Sequence, residues 1–422
     1  MKMMSKIIRD PIHNIIEIEH NLIALVDTYA FQRLRRIRQL GVAWLVYPAA
    51  EHSRLTHSLG VFYMSKRIIN ALKKNSINFD LESEEEKLIL VAALLHDIGH
   101  GPFSHAFENA IRTLGGTFDH EEMSIRIINE CEEINSVLKR LGADFPEQVC
   151  QILKKEYPNP SVGSIISSQF DADRLDYLLR DSYMTGANYG KFDVDWLLKN
   201  ISIENATFKS IEGQKVVCIN YDKGLNVLEQ YILGRYYMYI HVYYHKVVRG
   251  FEAVINNIIK RILQEEHREL VGYKAIFTLY TGKFSVEEYM KLDDFTIIAW
   301  FNEWYYKTKD NLLKELLHHF FCRQPFYRVI YSPTSPKEFR KNFNELVSSY
   351  KTEEERDYYF YEDTPRNIAY KDLYVTGDVL DEIFVYRKEE QEIIPLSAVK
   401  ETMISQTNLD SETIRWYVKK EV

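Results

Sequence analysis

The stretch LILVAALLHDIGHGPFSH, residues 88–105, decides how the fold is built. It opens with eight consecutive apolar residues, which predict a buried helix and are too few to span a bilayer, since a span needs about 20. Ionisable side chains follow at once: His96, Asp97, His100 and His105. On a continuing helix His96 and His100 would share a face, because they are four residues apart. The sequence therefore predicts a polar cavity where a core helix ends.

Metal binding is one chemistry that suits this stretch. A neutral imidazole beside a carboxylate is an ordinary ligand pair for Zn, Mn, Fe or Mg. Two residues would not hold an ion alone, and two other segments offer further ligands. His52 and His57 lie in EHSRLTHSLGV, and Asp171, Asp173 and Asp176 lie in FDADRLDYLLRD.

The segment FDADRLDYLLRD has the pattern of an amphipathic helix. Its apolar stripe consists of Leu175, Leu178 and Leu179, and its polar face consists of Asp173, Asp176, Tyr177 and Arg180. This combination would suit a metal-phosphate site, because the carboxylates could bind a cation, the guanidinium could bind phosphate oxygens and the phenol could serve for positioning. Such a face is more commonly a solvated surface with ion pairs between successive turns. This segment alone therefore does not decide between a functional site and a solvated surface.

The composition sets the class of protein. The chain has 422 residues, 46% of them hydrophobic, so a large core can form. The net charge of -8 argues against a general binder of nucleic acids or anionic membranes. The four cysteines (Cys131, Cys150, Cys218 and Cys322) form no CxxC pair, and the start MKMMSKIIRDPIH has no long apolar region. We therefore expect a soluble cytoplasmic protein.

Apolar periodicity predicts a mostly α fold with small β additions. Helices are expected over residues 21–40, 55–74, 103–114, 120–140, 146–155, 161–183 and 222–267, with mixed helices over 268–350. Alternating patterns predict an extended segment over residues 1–20 and a hairpin over 201–220. Strand-like pieces such as DEIFVYRKEEQEIIPLS predict an α+β C-terminal part.

Five blocks of sequence, taken in order, resemble the HD-domain deoxynucleoside-triphosphate triphosphohydrolases. The blocks are QRLRRIRQLG, HSRLTHSLGV, LLHDIGHGPFSHAFE, DHEEMS and FDADRLDYLLRD. They are most similar to the branch of the vertebrate sterile-alpha-motif/HD enzyme and its bacterial homologues. The resemblance runs from about Lys6 to Lys246, with a weaker echo at YKDLYVTGD. It implies an HD-domain helical core in residues 1–250, including the N-terminal strand and helix segment. We expect residues 251–422 to form a helical and α+β region that serves packing and oligomer contacts.

The resemblance implies a metal site and a proton-donating group. One divalent ion would be held by His57, His96, Asp97 and Asp173, a donor set that accepts Mn, Fe, Mg, Zn, Co or Ni. A further Mg would accompany the nucleotide phosphates. The implied catalytic group comprises His100, Glu108 and His120, in which Glu108 replaces the usual aspartate.

The resemblance also implies a substrate site, formed by Gln39, Leu40, Arg54, His105, Arg174, Tyr177, Asp181, Arg235 and Tyr243. Asp181 and Gln39 would bind the sugar 3′-OH, and Leu40 would pack where a 2′-OH would clash. Tyr244 replaces a glutamine that meets the base in the vertebrate enzyme, so base preference stays open.

The implied activity is metal-dependent hydrolysis of a dNTP to a deoxynucleoside and triphosphate. Allosteric activation by dGTP or GTP would use Lys6, Asp27, Gln32 and Arg35 in a homo-oligomer, a homotetramer or a dimer. Three departures (Arg9, Lys371 and Val375) disfavour a second effector site.

Three alternatives stay open for the chain. One is another HD chemistry, as 5′-nucleotidase or phosphodiesterase. A second is a non-catalytic nucleotide-binding regulator. A third would use the aromatic segment RYYMYIHVYYHK to stack nucleic acid bases, but the acidic net charge favours core packing and base contact there.

Overall fold

The structure is a computed structural model that describes residues 5–76, 79, 81–205, 215–331, 336–367, 382–406, 411–412 and 414–420. The segment YKDLYVTGD, with Lys371 and Val375, lies outside the described residues, as does the turn of the predicted hairpin, residues 206–214.

The fold is mainly helical with small sheets, which confirms the predicted class. The helices are α1 (His20–Val26), α2 (Tyr29–Arg33), α3 (Arg54–Asn75), α4 (Ser83–Leu95), α5 (His105–Thr113), α6 (His120–Glu130), α7 (Glu132–Lys139), α8 (Phe145–Leu153), α9 (Pro160–Ser164), α10 (Ala172–Thr185), α11 (Val194–Lys199), α12 (Tyr221–Met238), α13 (Lys246–Ile262), α14 (Tyr273–Tyr280), α15 (Val286–Met290), α16 (Asp294–Lys307), α17 (Asn311–Phe321), α18 (Pro336–Ser348), α19 (Glu353–Tyr359) and α20 (Met403–Gln406).

Four small sheets are present in the described part of the chain. Their strands are β1 (Lys6–Asp10), β2 (Asn14–Ile18), β3 (Ile201–Asn205), β4 (Lys215–Asn220), β5 (Tyr327–Tyr331), β6 (Phe360–Asp363), β7 (Arg366–Asn367), β8 (Phe384–Arg387), β9 (Glu392–Pro395), β10 (Ser411–Glu412) and β11 (Arg415–Lys419). Strands β1 and β2 form an antiparallel hairpin, and the order elsewhere is β3-β4-β8-β9, β5-β11-β6 and β10-β7. Only β4 and β8 pair in parallel among the described strands. The later sheets confirm the α+β C-terminal part.

Helices α3, α4 and α10 form the centre that positions the site. Helix α4 begins with a capping box between Glu82 and Glu85, and its apolar run from residue 88 to residue 95 is buried on every side. Helix α3 packs against α4 and also against α10. The contact between α3 and α10 is close at Gly60, where an added Cβ would lie 2.0 Å from an Asp176 carboxylate oxygen.

Several predicted helices are interrupted, so their predicted continuity was wrong. The segment 21–40 breaks at Thr28, whose hydroxyl accepts the Phe31 N–H and starts α2. The segment 120–140 divides at Cys131, and the segment 222–267 passes through a π turn before α13. The segment 161–183 breaks before Asp171, whose side chain caps α10. Side-chain caps of this kind compete with the helical backbone, and apolar periodicity does not detect them.

One continuous hydrophobic core joins the helical part to the C-terminal region. It runs from Ile16 in β2 to Tyr417 in β11. Among the described residues, no helix combines the length and the hydropathy needed to cross a bilayer.

Candidate metal and nucleotide site

The histidine-rich stretch does not continue α4, so the predicted shared face of His96 and His100 was wrong. Helix α4 ends at Leu95, and the chain then turns. At Gly99 the turn packs closely against the start of α6, because an added Cβ would lie 2.1 Å from the His120 carbonyl oxygen. The two histidines consequently diverge: His96 faces His57, whereas His100 stacks on His120.

The four predicted metal ligands converge at this turn. His57 Nε2 lies 2.9 Å from an Asp173 oxygen and 3.3 Å from His96 Nε2. His96 Nε2 is 3.4 Å from Asp97 Oδ1 and 3.8 Å from Asp173 Oδ1. The two imidazole planes meet at 75°, so both Nε2 lone pairs can point to one ion. Two nitrogens and two carboxylates from three parts of the chain therefore face a common point, and a divalent metal can bind there.

The outer nitrogens of the two histidines have fixed partners. His96 Nδ1 is 2.9 Å from the Ala93 carbonyl oxygen, and His57 Nδ1 is 2.9 Å from Asp176 Oδ2. The Ala93 carbonyl and the ionised Asp176 carboxylate can only accept hydrogen bonds, so each Nδ1 donates. Each Nε2 is then the atom left to bind a metal ion, once any proton it carries is displaced. This arrangement is typical of metal-binding histidines.

Asp176 is the centre of a buried charge network that the sequence did not reveal. It also accepts from His13 Nε2, at 2.6 Å, and from Arg180 Nε, at 2.8 Å. Arg180 in turn pairs with Asp10 at 2.8 Å. Burial opposes ionisation of Asp176, but Arg180, His13 and His57 hold its pKa well below the usual range. On the polar face of α10, Asp176 and Arg180 are therefore buried, and Asp173 and Tyr177 line the cavity, so this face is not a solvated outer surface.

The charge balance of the cluster favours a cation. Burial alone would lower the pKa of His57, but the Asp173 and Asp176 carboxylates outweigh it and raise that pKa to about 10. A position that attracts a proton so strongly also attracts a metal ion. The nitrogen and oxygen donors and their fixed outer partners fit a divalent metal, and they do not select among the six expected ones.

A second group of side chains surrounds Glu108. His120 Nδ1 lies 2.8 Å from the Glu108 carboxylate, His105 Nδ1 lies 3.7 Å from it, and Arg112 contacts its other oxygen at 3.1 Å. Burial would raise the pKa of Glu108, but the bonds from His105 and His120 lower it to about 2. The glutamate therefore reaches the histidine despite the extra methylene relative to aspartate.

This second group is not arranged as a metal site. Nitrogens of His100, His105 and His120 lie within 4.8 Å of one another, which alone would allow an ion. The rings of His100 and His120 are stacked, however, with centroids 3.9 Å apart and planes 23° from parallel. Imidazole lone pairs lie in the ring plane, so two stacked rings cannot both ligate one ion. Burial and the Arg54 guanidinium also lower the pKa of His100 well below its usual value.

A cavity of about 1000 Å³ opens beside both groups. Its lining includes predicted substrate residues: Gln39, Leu40, Arg54, His105, Tyr177, Asp181 and Tyr243. The Asp181 carboxylate accepts from the Tyr243 hydroxyl at 2.9 Å and bonds His52 Nε2 at 2.8 Å. His52, a candidate metal ligand from the sequence, therefore lies at Asp181 and not in the metal cluster.

The arginines differ in how they meet the cavity. Arg54 lines it and pairs with Asp97 at 2.6 Å. Arg174 bonds the Asp171 carboxylate and the Ser168 carbonyl, and it is outside the lining residues, as is Arg235. Arg235 is 6% exposed, and its Nε has no hydrogen-bond partner in the part of the chain that the structure describes. Asp171, another candidate ligand, caps α10 and does not join the metal cluster.

The predicted activator residues lie together near the N-terminus of the chain. Lys6 pairs with Asp27 at 3.3 Å, and Arg35 donates to Gln32 at 2.6 Å. Gln32 also donates to the Val26 carbonyl, next to Asp27. These contacts bring the four residues into one region, and their role stays a prediction.

Comparison with known proteins agrees with this geometry. The family described as HD domain matches residues 54–180. The protein YwfO of Bacillus subtilis is 37% identical over 378 residues, which cover 88% of this chain and 82% of that protein. The Dictyostelium discoideum protein named deoxynucleoside triphosphate triphosphohydrolase SAMHD1 homolog is 34% identical over 258 residues, 60% of this chain and 48% of that protein. The chain thus spans about half the length of that relative. A solved phosphohydrolase from Bacteroides thetaiotaomicron is 27% identical with a TM-score of 0.79, and the match covers 99% of this chain and 100% of that one.

Proposed function

Because the chain belongs to the HD-domain family, in the branch of the dNTP-triphosphohydrolase-like proteins, and is an HD-type phosphohydrolase, we propose that its substrate is a dNTP. The products are a deoxynucleoside and intact triphosphate. The observation that carries this proposal is that one cavity is lined by the metal cluster, by His120 and by the carboxylate of Asp181, while Glu108 bonds His120 and Tyr243 bonds Asp181.

The reaction begins with water attacking the α-phosphorus. A divalent ion, when bound by the four ligands, supplies polarisation of a phosphate oxygen and lowers the pKa of a bound water. Arg54 lines the same end of the cavity, where its charge stabilises the phosphates. The attacking water releases a proton to solvent as its oxygen bonds the α-phosphorus, and the bond to the sugar 5′-oxygen breaks, so that the pentavalent phosphorus collapses to triphosphate. The group that protonates the leaving oxygen regains its proton from solvent.

The leaving 5′-oxygen needs a proton, and His120 donates it. The Glu108 carboxylate, 2.8 Å from His120 Nδ1, stabilises the protonated imidazole and orients its Nε2. His100 stacks on this ring and fixes its plane. The three residues thus act as one proton-donating group.

Sugar selection follows from the opposite wall of the cavity. Asp181 is fixed by His52 and Tyr243, so its carboxylate is oriented to accept the 3′-OH. The Gln39 side-chain oxygen is buried and has no partner among the described residues, so it offers a second acceptor for that hydroxyl. Leu40 packs under the sugar, where a 2′-OH would be left without a partner.

The triphosphate tail extends towards His105, Tyr177 and the two remaining arginines. Arg235 is buried, and its Nε has no hydrogen-bond partner among the described residues, so an anion would satisfy it. Arg174 reaches the tail by exchanging its bonds to Asp171 and Ser168 for bonds to phosphate. Guanidinium groups of this kind match phosphate oxygens in a bidentate geometry.

Guanine-nucleotide activation and assembly form a separate part of the proposal. dGTP or GTP binds near Lys6, Asp27, Gln32 and Arg35 and promotes a homotetramer or a dimer. The test is dATP hydrolysis with and without dGTP, measured together with mass by light scattering. Equal rates and an unchanged mass would remove this part alone.

Product identity tests the main proposal. Purified protein is incubated with each dNTP and NTP, singly and in pairs, across several divalent metals, and the products are separated by ion-exchange chromatography. We expect triphosphate and deoxynucleoside in equal amounts. Nucleoside monophosphates and cyclic nucleotides are incubated in parallel, and release of inorganic phosphate or opening of the cyclic ester there, without triphosphate from dNTPs, would instead identify a 5′-nucleotidase or a phosphodiesterase. Binding of dGTP without turnover would identify a regulator.

A further inference from the structure

The loop that carries His100 leaves the ordinary backbone regions. Phe103 and Ser104 have φ values of 52° and 54°, although neither is a glycine. Residues in this left-handed region cost about 1–3 kcal/mol each and persist only where surrounding structure holds them. The contacts that hold this loop therefore bear on the site.

Asp294, the first residue of α16, contacts the loop directly. Its side chain is 0% exposed. One carboxylate oxygen accepts the Phe103 N–H at 2.7 Å, and the other accepts the Arg38 N–H at 3.0 Å. A single buried carboxylate thus links the strained loop at Phe103 to the backbone of Arg38.

The contact continues to the metal cluster through three hydrogen bonds. The Ser104 hydroxyl donates to the Arg38 carbonyl at 2.8 Å. Arg54 Nε donates to the Ser104 hydroxyl oxygen at 2.9 Å. Arg54 Nη1 then bonds Asp97 at 2.6 Å. The chain of bonds runs from Asp294 to a metal ligand.

Neighbouring residues support the same loop from the same side. The Tyr289 hydroxyl donates to the Gly99 carbonyl at 2.6 Å. Arg33 bonds both the His100 carbonyl and the Leu292 carbonyl, each at 2.9 Å. The segment from Tyr289 to Asp294 therefore holds the loop at its beginning and at its end.

We propose that Asp294 is a positioning residue for the hydrolytic reaction, because it fixes the loop that presents His100 and Ser104 to the cavity. It contacts no reacting atom and acts through the loop and through Arg54. This proposal rests on the proposed function, and it assigns to the region after residue 250 a role beyond packing.

The test compares two substitutions at the start of one helix. Asp294→Asn keeps the size and one acceptor but places an amide N–H₂ against a backbone N–H. Asp293→Asn is the matched control: Asp293 is 4% exposed, caps the same helix through the Thr296 N–H at 2.8 Å and pairs with Arg36. Within the described part of the chain it makes no hydrogen bond to the loop. Thermal unfolding and circular dichroism establish that both variants fold.

Activity and metal binding are measured for both variants. We expect D294N to lower kcat roughly 10- to 100-fold, since small displacements of a catalytic group have effects of this size. KM should stay within about twofold, and D293N should match the wild type within about twofold. Mn²⁺ affinity, followed by electron paramagnetic resonance, should fall in D294N and not in D293N.

A double-mutant cycle separates positioning from general stability. If Asp294 acts through Ser104, then D294N and S104A together should cost little more than either alone, whereas D293N and S104A should add. Equal losses in D294N and D293N, or a D294N variant with wild-type kcat and Mn²⁺ affinity, would overturn the proposal. If the wild type hydrolyses no dNTP but D294N alone binds Mn²⁺ weakly, the proposed function fails, whereas the part of the proposal in which Asp294 positions the metal site through Arg54 and Asp97 stands.

Discussion

Replacing Asp176 with asparagine tests how the metal site is supported. The Asp176 carboxylate is fully buried and accepts four hydrogen bonds, from His13 at 2.6 Å, from His57 at 2.9 Å and from Arg180 at 2.8 and 2.9 Å. Asparagine has one acceptor oxygen and brings an N–H₂ group towards donors. The substitution keeps the shape and removes the charge.

Two effects of known size follow from this substitution. Loss of the carboxylate behind a metal-binding histidine weakens metal affinity about 10- to 100-fold, or roughly 1.4–2.7 kcal/mol. Breaking a buried ion pair costs about 3–5 kcal/mol of folding free energy. Asp10 still pairs with Arg180, at 2.8 Å, so we expect the stability loss near the lower end of that range.

Asp10→Asn is the matched control, because Asp10 pairs with Arg180 but does not touch His57. Mn²⁺ affinity is measured by isothermal titration calorimetry, and stability by urea unfolding in the presence of a chelator. Both variants should lose stability, and only D176N should lose metal affinity. The reasoning is refuted if D10N weakens Mn²⁺ binding as much as D176N, or if D176N binds Mn²⁺ like the wild type.

Three further substitutions probe other parts of the site. Glu108→Gln should lower kcat at neutral pH about 100-fold in the product assay, because His120 loses its carboxylate. Since the pKa of Glu108 is lowered from 4.5 to about 2, its stabilising effect is present above pH 4.5 and is lost as the pH falls towards 2. The urea midpoint of the wild type should therefore exceed that of E108Q by less and less as the pH is lowered from 4.5 towards 2. A difference in midpoint that stays constant over this range would contradict the reasoning. Gly60→Ala should destabilise the protein by about 1–3 kcal/mol or more in urea unfolding, since the new Cβ would lie 2.0 Å from Asp176 Oδ1; an unchanged midpoint would show that α3 and α10 can separate freely. Tyr243→Phe removes a donor to Asp181 and should raise KM for dNTPs roughly 5- to 10-fold with little change in kcat, and an unchanged KM would remove Tyr243 from the sugar site.

The four candidate metal ligands could be predicted from the sequence, because each stands in a recognisable block. His57, His96, Asp97 and Asp173 lie in three of the five blocks, and the structure brings them to one point. The apolar run before His96 correctly indicated a buried helix. The turn after it was missed because spacing alone assumes that a helix continues.

The supporting residues could not be found in the same way. His13 reaches Asp176 across 163 residues, and Asp294 reaches Phe103 across 191. Local periodicity carries no information about such pairs. Asp176 had a weak signal, since it follows Asp173 by three residues on one helix face, but an acidic helix face more often meets solvent.

The convergence of four side chains on one ion is tested most directly by the variant H96A/D97A. Metal content by mass spectrometry of the purified protein and release of triphosphate from dNTPs are measured side by side with the wild type. We predict about one divalent metal per wild-type chain, and in the variant both the bound metal and the turnover should be lost while the fold is kept. A variant that still binds the metal and still releases triphosphate at the wild-type rate would contradict the account.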